Sequence, residues 1–275
     1  MTQTRDLIDR TAVVTGASSG IGRAIAEALG AAGAHVFLAG RSREPMEESR
    51  KRIEQQGGRA TVVPLDLRDV GQLRGLVDGA VRETGWLHIM VNNAGLSYPG
   101  PITEAKPEQW REMLETNVLA LLVGAQAAIR AMRAGGNAGH IVNISSVAAL
   151  RRDSGVYGAT KHAVNAISAT LRSELEDDPI RVVNVMPGAV ATNFARNFDP
   201  EFIAGIVRAT GSELEVKRGE KLPDEVIARL QPLMKQLLAS PEDVARAVLF
   251  AVTQPIEVNV ADIVVRPAKQ MQLSM

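Results

Sequence analysis

Seven short apolar runs, at residues 11–15, 35–39, 60–64, 88–92, 140–144, 180–185 and 262–265, alternate with segments long enough to form helices. Strands joined through helices cannot fold back as tight hairpins. They pair in parallel, and right-handed crossovers then lay helices on both faces of the sheet. Strands covered on both sides must be apolar throughout, and with only 3% aromatic residues it is Val, Ile, Leu and Ala that fill them. At 275 residues and 45% hydrophobic side chains, the chain can bury one large core. The pattern specifies an α/β protein in which a single domain over 1–275 is doubly wound around a parallel sheet of about seven strands. Its functional loops then lie at the carboxyl ends of the strands. One stretch breaks the alternation, from about residue 190 to 240, where 211–221 is polar and poorly periodic.

Composition narrows the partners. Lys plus Arg equals Asp plus Glu at 31 each, so there is no basic field for nucleic acid and no polybasic patch for a membrane surface. The absence of cysteine excludes disulfides, thiolate catalysis and thiolate-bound metals, and fits a reducing interior. The first six residues are polar and begin no signal peptide, and the longest apolar stretch, Val118 to Ile129, is too short to span a bilayer. The expected compartment is the cytoplasm. His35, His88, His140 and His162 are scattered, without short ligand spacings, so no metal site is expected and each reads as a structural imidazole.

The first strand, Thr11–Thr15, feeds directly into Gly16-Ala-Ser18-Ser19-Gly20-Ile21-Gly22 and then into a segment of helical periodicity. Strand, glycine turn and helix form a cradle for a dinucleotide. Gly16 permits the turn, Gly20 lets backbone approach a pyrophosphate, Gly22 allows close packing, and the helix start offers oriented N–H groups. The second strand ends in Gly40-Arg41-Ser42. A dinucleotide without a 2′-phosphate is gripped at such a position by a carboxylate on its ribose hydroxyls. Gly40 offers none, whereas Arg41 and Ser42 offer a planar charged donor and a hydroxyl, so NADP(H) is the expected cofactor. The competing reading of Arg41 is a solvated side chain in a turn. Further along, Tyr157 and Lys161 stand four apart, which on a helix stacks the phenol and the ammonium on one face. A fixed positive charge there lowers a phenol pKa that starts near ~10, making a usable proton donor. A surface pair without function is the alternative.

With these two motifs in this order the chain resembles the short-chain dehydrogenase/reductase family over roughly residues 8 to 192. The other residues that carry the resemblance are Asp66 with Leu67, Asn93-Ala94-Gly95, Asn117 in Thr-Asn-Val, Ser145-Ser146, and Pro187-Gly188 followed by Val190 and Thr192. The resemblance implies a Rossmann-type fold and Tyr157 as general acid, with the Ser146 hydroxyl as a second donor to the carbonyl oxygen. It implies that Lys161 tunes Tyr157 and bonds the nicotinamide ribose, and that Asn117, inside a helix over 107–134, holds a water of a proton relay. It further implies that Asp66 accepts from the adenine amine and that Asn93, Ala94 and Gly95 lie along the adenosine ribose and phosphates. Pro187, Gly188, Val190 and Thr192 anchor the carboxamide. The interval from Ser146 to Tyr157 is about two residues shorter than is usual in the family, which reshapes one wall of the pocket.

The activity so implied is carbonyl reduction or alcohol oxidation on a small molecule by a homodimer or homotetramer. An epimerase or dehydratase with the same acid–base set, and a non-catalytic NADP(H) sensor, are the alternatives. The substrate side is carried by the insertion. Phe194, Phe198 and Phe202 are spaced four apart as on one helix face, Asp199-Pro200 starts a helix, and a second amphipathic piece runs from Asp224 to Leu238 through Met234. This segment is either an apolar lid over a hydrophobic ketone or aldehyde, or plain packing. Arg151 and Arg152 form either a greeting for an acidic substrate or a solvated charged loop.

Overall fold

The computed structural model describes residues 6–208, 211–212, 214–233 and 236–269. Seven strands form one sheet: β1 (Thr11–Thr15), β2 (His35–Gly40), β3 (Arg59–Pro64), β4 (Ile89–Asn92), β5 (Gly139–Ile144), β6 (Ile180–Pro187) and β7 (Asp262–Val265). Their order is β3-β2-β1-β4-β5-β6-β7, and every pairing is parallel. The chain winds outward from β1 to β3, then crosses to β4 on the other side of β1. The loops after β1 and β4 therefore diverge and leave a crevice at the carboxyl edge.

Alternation along each strand divides the core in two. Val14, Val91, Val142 and Val183 share a register row and face α1 (Gly20–Ala31), α2 (Arg43–Gln55) and the C-terminal helix Pro241–Val252. The next row, Val13, Met90, Ile141 and Val182, faces α3 (Val70–Thr84) and the helix Ala120–Gly135. The sheet is thus covered on both faces, the Rossmann-type arrangement the strand pattern demands.

One expected helix is broken. The segment expected over 107–134 consists of α4 (Pro107–Leu114), a single π turn (Glu115–Leu119) and α5 (Ala120–Gly135), with Asn117 buried in the π turn. Such a turn inserts one residue into the ladder and re-aims the side chain it carries. By length and composition Pro107–Gly135 could cross a membrane, a longer stretch than the apolar run Val118 to Ile129. Here it is a core helix, packed on α3, β4 and β5.

After β6 the chain forms a 3₁₀ turn (Asn193–Asn197), then α7 (Pro200–Arg208) and α8 (Asp224–Leu233), before α9 (Pro241–Val252) starts in a Ser240/Asp243 capping box. Phe194 lies in the 3₁₀ turn and Phe198 at its end, so the phenylalanines do not share one helix face. The turn is set by Thr192, whose hydroxyl accepts from Phe194 N, while Pro200 begins the helix anew. Phe198 instead packs with Ile203, Val207 and Val226 in a small core of the segment's own. The Phe202 side chain and Met234 lie outside the described residues.

Candidate active site

The carboxyl edge opens into a cleft of about 1590 Å³, room for a dinucleotide and a substrate together. Every site residue expected from the sequence lines it except Asn117. At one end Gly16 and Gly20 have φ of +67° and +56°, the left-handed region that glycine enters without strain. A Cβ on Gly22 would overlap the Gly16 carbonyl and the Asn93 amide, so the helix start is pressed against the turn. Ser19 precedes α1 in extended conformation and makes no side-chain cap. The first N–H groups of α1 are thereby left to an anion, which is the fit a pyrophosphate requires. Ser18 and Ile21 complete this rim.

Asn93 is committed to the protein: its amide donates to Thr15 O at 2.9 Å and its own N–H to Thr15 Oγ1 at 3.0 Å, which ties the ends of β1 and β4 together. Its place is therefore beneath the glycine loop, a support for the ribose site, while Ala94 and Gly95 carry the wall. Asp66, beside the buried Leu67, takes a bidentate bond from Arg68, which holds its carboxyl at about 2, well below the usual carboxylate range. The cap of α3 is Asp69, so Asp66 is not spent on a helix end. Gly40, Arg41 and Ser42 face the same end, and Ser42 makes no cap on α2.

At the other end Ser146 terminates β5 and Tyr157 rises from α6 (Gly155–Glu174). The Ser146 hydroxyl accepts from Ala148 N at 3.1 Å and lies near enough to the Tyr157 phenol to favour its ionised form. Its neighbour Ser145 is buried and bound to Asn165 and the Lys161 carbonyl, so Ser146 is the serine that faces the cleft. Lys161 is 4% exposed, and its Nζ donates to Ile144 O at 2.8 Å and stands 5.9 Å from the Tyr157 ring centre. The expected lowering of the phenol pKa is not found. Burial pushes Tyr157 up to about 12, against a smaller lowering by Ser146, and burial pulls Lys161 down to about 8. Desolvation disfavours both charges, and the ammonium spends a donor on Ile144 O.

The π turn places Asn117 behind Gly95. Its amide donates to Leu96 O at 2.9 Å and to Thr160 Oγ1 at 3.1 Å, and its Oδ1 accepts from Leu96 N at 2.9 Å. It pins the loop after β4 to α6. Beyond β6, Val190 pairs with Ala239 through the Ala189 carbonyl and the Ala191 N–H, so Val190's own N–H and C=O point to the other side, toward the cleft. Pro187 and Gly188 lead there, with Gly188 N held by Val265 O, and the Thr192 methyl faces Gly20. Phe194 tilts against Tyr157 with ring centres 5.4 Å apart. Arg151 is exposed and paired with Asp153, the solvated loop of the two readings.

A family model described as short chain dehydrogenase matches residues 10–201. The chain belongs to the short-chain dehydrogenase family. Among the family's members, an uncharacterized oxidoreductase of Staphylococcus aureus (strain USA300) is 34% identical over 263 residues, 95% of this chain and 98% of that one. Two solved structures share the fold. An alcohol dehydrogenase from the archaeon Thermococcus sibiricus, complexed with 5-hydroxy-NADP, superposes with a TM-score of 0.76 at 26% identity over 96% of this chain and 99% of that one. A metagenomic short-chain oxidoreductase in complex with NADP gives 0.73 at 29% identity over 95% and 99%.

Several supporting residues escape a reading of motifs. Asn92, Asn143 and Asn184 occupy one register row across β4, β5 and β6. Asn92 donates to Asn143 and Asn143 to Ser168, while Asn184 donates to Asn165, which also takes the Ser145 hydroxyl. This buried network holds α6, and with it Tyr157 and Lys161, to the sheet. An Asn within the last two residues of each of the three apolar runs 88–92, 140–144 and 180–185 is the signal that could have found it. The described residues hold no cluster fit for a metal.

Proposed function

We propose that the protein is an NADP(H)-dependent oxidoreductase that interconverts an apolar ketone or aldehyde and its alcohol. The observation that carries this reading is the meeting of the Ser146 and Tyr157 hydroxyls beside Lys161, in the cleft that holds the glycine cradle at its other end. When bound, the nicotinamide supplies or accepts the hydride. Tyr157, with a pKa of about 12, is a phenol at neutral pH and gives its proton to the oxygen on which negative charge grows. Ser146 steadies that oxygen as a second donor, and the Lys161 ammonium favours the phenolate left behind. Val190 and Thr192 orient the carboxamide, Asn117 fixes the wall at Gly95, and Phe194 beside Tyr157 favours an apolar substrate.

Cofactor preference follows from Gly40, Arg41 and Ser42, and the NADP complexes of the two structural neighbours support it. A Cβ at Gly40 would meet nothing closer than the Met46 sulfur at 3.5 Å, and φ there is not positive. A side chain could therefore start from this position without backbone strain, so the lack of a carboxylate here bears on charge. The reading extends to one domain with a lid over about 190–240 and a cytoplasmic location. Exposed Leu114, Leu119 and Leu122 on one helical face and Phe250 on another support a homodimer or homotetramer. The test is purified protein with NADPH against a panel of ketones and aldehydes. Consumption of NADPH with bulky apolar carbonyls is expected, and binding of NADPH without turnover of any member would refute the assignment.

A further inference from the structure

The segment between β6 and α9 carries cations to the cofactor end of the cleft. Arg196 leaves the 3₁₀ turn, and Lys221 lies on the strand of chain that returns along it. The two stretches are joined by reciprocal bonds: Asn193 Nδ2 to Leu222 O at 3.0 Å, Leu222 N to Asn193 Oδ1 at 2.7 Å, and Gly219 N to Arg196 O at 2.8 Å. Asp224, three residues on, takes an ion pair at 2.8 Å from Arg23 of α1, whose guanidinium also donates to Ser18 O in the glycine loop. These bonds seat the segment over the glycine cradle, not only over Tyr157.

The charge there is unbalanced in a chain that is neutral overall. Arg41, Arg196 and Lys221 all line the cleft, and among the described residues none of the three forms an ion pair. The acids nearby are engaged elsewhere: Asp66 and Glu112 with Arg68, Asp224 with Arg23. Beyond partial burial, Arg41 and Arg196 repel each other and Lys221 feels both of them and Arg23, offset in part by Glu112 at Arg196 and by Asp224 at Lys221. Cations gathered on a concave wall without an ion-pair partner of their own call for an anion of more than one charge.

We propose that Arg196 and Lys221 reach from this segment to the phosphate groups of the bound dinucleotide and form with Arg41 a clamp over it. The clamp rests on the reading of the cleft as a dinucleotide site. It makes the segment part of the cofactor site as well as a wall for substrate, so cofactor binding holds it down before substrate enters.

The experiment is calorimetric titration of the full chain with NADPH and, separately, NADH. Wild type is compared with Arg196→Gln, Lys221→Gln, the double variant, Arg196→Lys, and Arg208→Gln as a charge change on the same segment outside the cleft. The double variant is expected to bind NADPH at least about tenfold more weakly, with a shallower salt dependence, while Arg208→Gln and Arg196→Lys stay within about threefold. Loss for NADPH alone assigns the clamp to the 2′-phosphate, and equal loss for both dinucleotides assigns it to the pyrophosphate. Unchanged affinity of Lys221→Gln and the double variant, with wild type binding NADPH, overturns the clamp but leaves the cofactor site standing. A wild type that binds neither dinucleotide overturns both.

Discussion

At the scale of single residues, the chemistry depends on groups whose charge is set by burial. Tyr157→Phe keeps the ring against Phe194 and removes only the hydroxyl. Turnover is expected to fall about 10²–10⁴-fold with cofactor affinity nearly unchanged, read by single-turnover kinetics and NADPH titration. Lys161 adds a pH dependence. Its pKa is lowered to about 8, so the ammonium is complete below 8 and lost as pH rises through it. The kcat/KM for carbonyl reduction should therefore decline above about pH 8, and a profile flat to pH 10 would count against a role for the charged lysine. Gly40→Asp with Arg41→Ala should move the NADPH-to-NADH preference toward NADH by at least about tenfold, measured as the ratio of kcat/KM values. A Cβ at Gly40 would meet its neighbours only at ordinary van der Waals distance, so the fold is expected to survive the change.

At the scale of elements, strands and turns hold the site through contacts that a pH or a methyl group can break. His88 Nδ1 accepts from Thr11 N at 3.1 Å, and His140 is buried in the adjacent strand. Burial holds both imidazoles at about 4, with nearby Arg10 and, for His140, Arg181 adding to it. A depressed histidine stabilises the fold above its unfolded value of about 6.5, and that stability is lost as pH falls from 6.5 toward 4. The melting temperature should therefore drop over this window. His140→Leu should flatten part of the drop, since His140 Nε2 has no hydrogen-bond partner among the described residues. A melting temperature constant from pH 7 to 4.5 would contradict this account. In the glycine turn, the overlap a Cβ would make at Gly22 implies that Gly22→Ala impairs dinucleotide binding before anything else.

At the scale of the whole molecule, the segment after β6 holds a small core of its own and lines the cleft. Phe198 sits in that core and on the cleft wall. Phe198→Ala is expected to raise KM for bulky ketones more than for small ones, by about 1–3 kcal/mol in kcat/KM where the substrate uses the contact. A lower melting temperature with unchanged kinetics across the panel would mark the segment as packing alone.

The fold was legible because a parallel sheet leaves its mark on every strand: each apolar run recurs as a strand within two residues at either end, while the order of those strands in the sheet is read from the structure. The glycine cradle, the Tyr157–Lys161 pair and Ser146 were legible for a related reason, since local backbone geometry and helical spacing are written in consecutive residues. What needed the tertiary structure is whatever depends on groups distant in the chain. The π turn at Asn117 is favoured by its bonds to Leu96 and Thr160, not by any propensity of its neighbours. The pKa values of Tyr157 and Lys161 follow from burial in the folded protein, and spacing alone pointed the phenol in the wrong direction. The phenylalanines at four-residue intervals mimic a helix face that Thr192 and Pro200 break. The asparagine row across β4, β5 and β6, and the approach of Arg196 and Lys221 to Arg41, exist only once strands from opposite ends of the chain are side by side.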